Sequence, residues 1–516
     1  MYRHALHPLA LALTGLLAAT ATQAADFGLQ AEQHLHANAM ALFGVAQPLT
    51  ASAPATSGAY RTDSQTAADQ VLLAGSLSAS YLTREAANSA DMLAFYPAAN
   101  PSHLIVCIEG GRAQLSGDAD TGAYATGDKF NPSVQRISLA NGAVETILRG
   151  MSGCDGIRTT PWGTILATEE EDDGGAYEIL SPLTTTGYTV KDRATGEIVD
   201  GAGMTDSSVI AKRAALPVIA WEGLDITPEG VVVGGDELRP GTAAVDVDGG
   251  AIFKFVPTLP WDGVSPVTSL ALSPLVSGTT YAYQASCQAA TSSSFPQYGQ
   301  GCEIGQGAWV RIDDVANART DADTKGATGY YRPEDGHFDP LYAGSGYRFC
   351  WTNTGNEGAK NYGEVLCMID ANPMGTGEKV NSKNGFSYLA DNAQSKGYAV
   401  AEANRFVEGD TDFNSVDNLA FQPVTGNMYV IEDHNNGDIF ACLTDGADRD
   451  IKTDGCVKIL SVKDTSAEPT GFTFSPDGRT AYVSIQHSDD SNMAKVDDYA
   501  TDDIIKITGF KVKQPQ

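Results

Sequence analysis

Alternation of apolar and polar residues with a period of two dominates this chain, and helical periodicity is nearly absent, so strands carry the fold. Six times an alternating strand reaches a turn containing proline or glycine, a second strand follows, and the pair ends in polar or acidic residues. The units span 91–109, 152–170, 222–237, 334–353, 417–433 and 468–487. A third short strand follows each of them, starting at Val134, Ala176, Ala251, Glu364, Asp438 and Ile504. No such unit can bury both its faces alone, whereas a ring of them can. The pattern therefore predicts an all-β six-bladed β-propeller with loop insertions. The wide gap between the third and fourth units predicts an insertion around 239–329. Residues 25–85 read as an N-terminal approach segment and 86–516 as the propeller domain.

The polar ends of the units add chemistry to this picture. An acid lies six residues before the turn proline in five units, at Asp91, Asp155, Glu222, Glu334 and Asp417, and Glu468 lies eight before Pro476. Glu169, Asp236 and Glu432 each lie six residues after a turn glycine. An antiparallel hairpin brings its outer ends side by side, and the first strand of each blade lines the channel, so these groups are expected at one channel mouth. The most concentrated stretch is 152–170, which offers Cys154 and Asp155 at its entrance and Glu169 and Glu170 at its exit.

That many carboxylates in one place would take up protons unless cations neutralise them. Carboxylate oxygens favour hard cations such as calcium, while a thiolate calls for a softer or transition metal. The expected metal ligands are Cys154, Glu169, Glu222, Asp236, Glu237, Glu334, Asp417 and Glu468. Arg332, beside Glu334, offers a planar fork for phosphate oxygens and is the expected catalytic residue. His337, His434 and His487 fall near the mouth and read as supporting rather than catalytic groups. The sequence contains no G-x-S-x-G elbow, H-E-x-x-H or P-loop.

Charge and cysteines narrow the setting. With 33 basic and 64 acidic residues the net charge is −31, which excludes nucleic acid and anionic membranes as natural partners. Arg3 and His4, the apolar run from Leu9 to Ala19 and a small-residue tail predict a signal peptide over 1–24, and no later run is long enough to span a membrane. A secreted or periplasmic location follows, where disulfides are permitted. Cys287 with Cys302, Cys350 with Cys367 and Cys442 with Cys456 are close enough to close small loops. Cys154 is then either paired with Cys107 or left as a thiolate for metal.

From about Met92 to Phe510 the chain resembles the PhoX family of secreted alkaline phosphatases. The resemblance rests on Cys154-Asp155-Gly156 with TPWGTILATEE, on the Glu222-Gly223 hairpin ending in Gly235-Asp236-Glu237, on Arg332-Pro333-Glu334 followed by Thr352-Asn353, and on FSPDGRTAYVSIQH. It implies a six-bladed propeller carrying iron and calcium, with Cys154, Glu222 and Glu334 as ligands and Arg332 on phosphate. It also implies hydrolysis of small phosphate monoesters by a metal-bound oxide or hydroxide, without a protein nucleophile. Two departures stand out: the leader lacks the family's twin arginines, and the usual Cys-Ala-Gly-Gly reads Cys154-Asp155-Gly156-Ile157. The competing readings are a calcium propeller of the lactonase or phytase kind, which has no need of Cys154, and a non-enzymatic calcium-binding recognition propeller.

Overall fold

All six hairpins form. Their inner strands are Ala90–Tyr96, Cys154–Thr159, Trp221–Ile226, Pro333–Phe338, Val416–Phe421 and Glu468–Phe474, and each pairs antiparallel with the strand that follows it. At the turns Gly163, Gly230 and Gly426 adopt positive φ angles of 86°, 97° and 76°, a region that side-chain-bearing residues avoid, and this fixes where the chain reverses. The computed structural model describes residues 27–56, 61–116, 127–241, 249–285, 303–375, 400–444 and 455–512. The leader at 1–24, Cys287 and Cys302 lie outside them.

The inner strands adjoin one another in cyclic order, with the last packed against the first, so they surround one axis. Outward from them the fold is all-β and propeller-like, and the described residues form four separate sheets of four to six strands, one sheet of nine, and a small two-stranded ribbon. Six separate sheets were expected. The difference arises because Gly305–Ile312 pairs with Val400–Glu408, which joins the sheets of the third and fourth hairpins edge to edge. The region 239–329 is thus partly sheet, contributing Ile252–Pro257, Gly278–Ala285 and Gly305–Ile312.

The approach segment closes the ring. Ser78–Ala87 pairs with Thr501–Thr508 as the outer strand of the last sheet, and Val71–Leu73 pairs with Cys456–Val462. Buried Arg61 holds Asp503 at 2.6 Å, and Arg84 approaches the same carboxylate at 3.0 Å, so a shared charge ties this segment to the final strand. No helix among the described residues is long and apolar enough to cross a membrane.

The core lies between neighbouring sheets. Met92, Ile105 and Ile147 of the first sheet pack with Ile157, Ile165 and Tyr177 of the second. Each such aliphatic side chain contributes about 1.5–3 kcal/mol on burial. Because this packing is repeated around the ring, the inner strands are held rigidly, and so is whatever they carry at their first residues.

Candidate metal centre at the channel mouth

In each hairpin the inner strand spends one residue more than its partner near its start. Ala90 to Leu93 faces Ile108 to Val106, Cys154 to Ile157 faces Glu169 to Ala167, and the same offset occurs at Trp221/Leu224, Pro333/Gly336, Val416/Leu419 and Thr470/Thr473. These are β-bulges, which bend a strand and re-aim a side chain. In five units the residue that enters the bulge is the acid six before the turn proline: Asp91, Asp155, Glu222, Glu334 or Asp417. In the sixth the bulge is displaced by one residue, and Thr470 stands there, its hydroxyl bonded to Asp91 and Asn418.

The bulges bring the acids together. Ligand-capable oxygens lie within 4.8 Å of one another in three overlapping groups: Asp91, Glu109 and Asp155; Asp155, Glu170 and Glu222; Glu222, Glu334 and Asp417. Asp155 and Glu222 each belong to two groups, so the three form one chain of carboxylates. Asp155 and Glu222 are 3% exposed and Glu334 2%. Asp155 Oδ1 is buried with no hydrogen-bond partner among the described residues, although nearly every buried carboxylate oxygen in a folded protein has one.

Electrostatics show what this costs the protein without a cation. Burial, then neighbouring carboxylates, push the carboxyl groups of Asp91, Asp155, Glu170, Glu222 and Asp417 well above the usual range. Glu334 is raised by burial against the pull of Arg332. Glu468 is pushed up to about 10 by burial and by Asp433. A cation at this place would replace the protons, and a donor set made only of carboxylate oxygens suits calcium.

The second strands decide which exit residues take part. Side chains alternate along a strand, so adjacent acids point to opposite faces. Glu170 joins the carboxylate chain, while Glu169 turns away to Arg193 at 2.7 Å and accepts from the Ser152 and Gly175 amides at 3.0 Å each. Glu237 meets Arg332 at 2.7 Å, while Asp236 turns away to Arg319 at 2.7 Å and accepts from the Ala220 amide. Asp433 lies 3.7 Å from Arg332, whereas Glu432 binds the Asn414 and Asp438 amides and His434. Glu169 and Asp236, expected as ligands, are placed by the structure as loop anchors. The sequence offers Asp155 and Glu170 as candidates and puts Asp91 at the mouth, but the expected ligand set leaves these three out and Glu109 goes unnoticed, although the alternation that separates Glu169 from Glu170 is present to be read.

Cys154 requires a correction. It forms a disulfide with Cys107, so its sulfur offers no thiolate. The reason is topological: Cys107 sits on the second strand of the first unit, and that strand packs against the inner strand that Cys154 begins. Cys350 pairs with Cys367 and Cys442 with Cys456, as their spacing allowed.

Arg332 stands among the acids. Its φ of 58° is left-handed, and its guanidinium reaches Glu237 and, at 3.1 Å, Glu334. The carboxylates of Glu334 and Glu237 raise its pKa further, so it carries its charge at every pH of interest. Among the histidines, His434 is raised to about 9 by its bond to Glu432. His487 lies 3.4 Å from Glu468, and His337 faces Asp335 deeper along the channel.

A family model described as alkaline phosphatase PhoX matches residues 151–489. Among solved structures, Pseudomonas fluorescens PhoX in complex with vanadate, a transition state analogue, is 17% identical with a TM-score of 0.53, covering 89% of this chain and 97% of that one. A gluconolactonase from Xanthomonas campestris is 10% identical with a TM-score of 0.40, covering 89% of this chain and 98% of that one. No curated protein matches the chain. The likeness to the Pseudomonas protein shows a shared fold.

Proposed function

Because the chain belongs to the PhoX family of alkaline phosphatases, we propose that it is a calcium-dependent phosphatase that hydrolyses small phosphate monoesters at the channel mouth. The observation that carries this reading is the unbroken chain of carboxylates from Asp91 to Asp417 with Arg332 set beside Glu334. On this reading the fold has six blades, the nine-stranded sheet counting as two that share an edge.

Asp91, Glu109, Asp155, Glu170, Glu222, Glu334 and Asp417 would hold the cations. Bound there, the cations would neutralise phosphoryl oxygens and lower the barrier to attack by water. Arg332 would donate two N–H groups to phosphate oxygens, its charge assured by its surroundings, and Glu237 would aim it. The buried walls exclude bulk water, which strengthens these charge interactions. Iron bound through Cys154 would require the Cys107–Cys154 bridge to be open, so we favour a set of hard cations. The three disulfides among the described residues accord with the leader in favouring an exported protein.

The test is hydrolysis of p-nitrophenyl phosphate by protein loaded with calcium, by chelated protein, and by protein given iron, with elemental analysis of each. Calcium-restored turnover supports the reading, and no turnover by calcium-replete protein overturns it. A lactonase of similar fold would instead open lactones under the same conditions.

A further inference from the structure

Beside the carboxylate chain lies a polar cavity of about 220 Å³ that the phosphatase reading does not use. Its walls include Tyr331, Lys360, Asn361, Glu364 and Glu408. Tyr331 precedes Arg332 in the chain, and its hydroxyl accepts from Asn356 Nδ2 at 3.0 Å. Glu364 is paired across the sheet with Asn353, which is paired in turn with Pro333, next to Glu334. Two strand spacings, roughly 10 Å, therefore separate the backbone of Glu364 in the cavity wall from that of Pro333 beside Glu334.

The lining mixes acceptors with donors. Glu364 accepts from Asn353 at 3.2 Å and from Arg405 Nε, and Arg405 feels Glu364, Glu408 and Glu303 together. Arg405 Nη2 is buried without a hydrogen-bond partner among the described residues. Lys360, at a left-handed φ of 62°, caps a short turn and forms part of the cavity wall. Lys360 and the nearby Arg405 offset part of the charge of Glu303, Glu364 and Glu408, and the mixture of groups suits a ligand that both donates and accepts hydrogen bonds. Its volume is well above the roughly 10–15 Å³ that a single water needs, so there is room for a small polar ligand such as a sugar ring or polyol.

We infer that this cavity is the leaving-group subsite and that the preferred esters are phosphates of polyhydroxylated alcohols such as hexoses. The inference rests on the phosphatase reading. Hydroxyls of the leaving alcohol would donate to Glu364 and Glu408 and accept from Lys360 and Asn361, while the Tyr331 ring would cover a face of the sugar.

The test compares glucose 6-phosphate with methyl phosphate, whose leaving group is too short to reach the cavity, on calcium-loaded wild type, Lys360→Gly and Tyr331→Ala. Glycine suits the backbone at 360, so that variant should fold. Loss of a hydrogen bond to a charged group predicts that kcat/KM for glucose 6-phosphate falls about tenfold more than that for methyl phosphate, mainly through KM. Equal losses on both esters, or no loss, overturn the subsite while leaving the phosphatase reading intact. No turnover of either ester by wild type overturns both.

Discussion

Arg332 and Glu334 share one arm of the site: the arginine Nη2 lies 3.1 Å from Glu334 Oε1, and the same carboxylate stands within 4.8 Å of ligand atoms of Glu222 and Asp417. On the proposed reading the arginine sits where it can hold a substrate oxygen placed over cations held by these carboxylates. Arg332→Ala should lower kcat/KM for p-nitrophenyl phosphate by about a hundredfold, the scale of a charge-assisted contact in a dry site, while calcium content is unchanged. Arg332→Lys should recover little, because a single ammonium cannot form the fork. Full activity in the alanine variant would remove Arg332 from the mechanism.

The second prediction concerns pH. In cation-free protein the carboxyls of Asp155, Glu222, Glu334 and Asp417 have folded pKa values above their unfolded ones. The native state then holds more protons than the unfolded state once pH exceeds about 4, so stability falls as pH rises. Asp335 runs the other way: burial is outweighed by His337 and Arg158, which hold it at about 2, and its contribution is lost only as pH falls towards that value. Chelated protein should accordingly melt several degrees lower at pH 8 than at pH 5.5, and calcium should abolish the difference and bind more tightly at pH 8. A melting temperature in chelator that is flat or rising over this interval would contradict the arrangement.

How much of this was legible follows from the two periodicities involved. In five units the acid six residues before the turn proline marked the inner mouth correctly because turn, strand length and bulge recur together. The exit acids misled because counting from the turn glycine fixes height along the channel but not the face of the strand. Glu169 and Glu170 stand at nearly the same height, and only strand alternation sends one to Arg193 and the other to Asp155. Thr470 was hidden by a bulge shifted by one residue, and the choice for Cys154 between a bridge to Cys107 and a free thiolate stayed open because spacing within one unit does not encode a contact between units.

That bridge yields a third prediction. It closes a separation of 47 residues between the first two units, so replacing both partners by alanine should destabilise the protein by about 2–4 kcal/mol. The carboxylate chain contains no sulfur, so the double variant, assayed below its melting temperature, should keep its calcium and at least half its turnover. Loss of bound metal from a variant that remains folded would show that sulfur is a ligand after all and return iron to the site.

The last prediction separates anchors from ligands. Asp236 is 1% exposed and is raised by burial against the pull of Arg319, which contacts both its oxygens at 2.7 Å. Arg319→Ala would leave that carboxyl buried without its partner, a change that costs about 3–5 kcal/mol. Asp236→Asn keeps the shape and the bond from the Ala220 amide, so it should cost less than Arg319→Ala. Neither substitution touches the carboxylate chain, so calcium stoichiometry measured on folded protein should stay at the wild-type value in both. A lower stoichiometry in Asp236→Asn, with melting temperature little changed, would place Asp236 among the ligands and undo the division of adjacent acids into one that faces the cations and one that holds the loop.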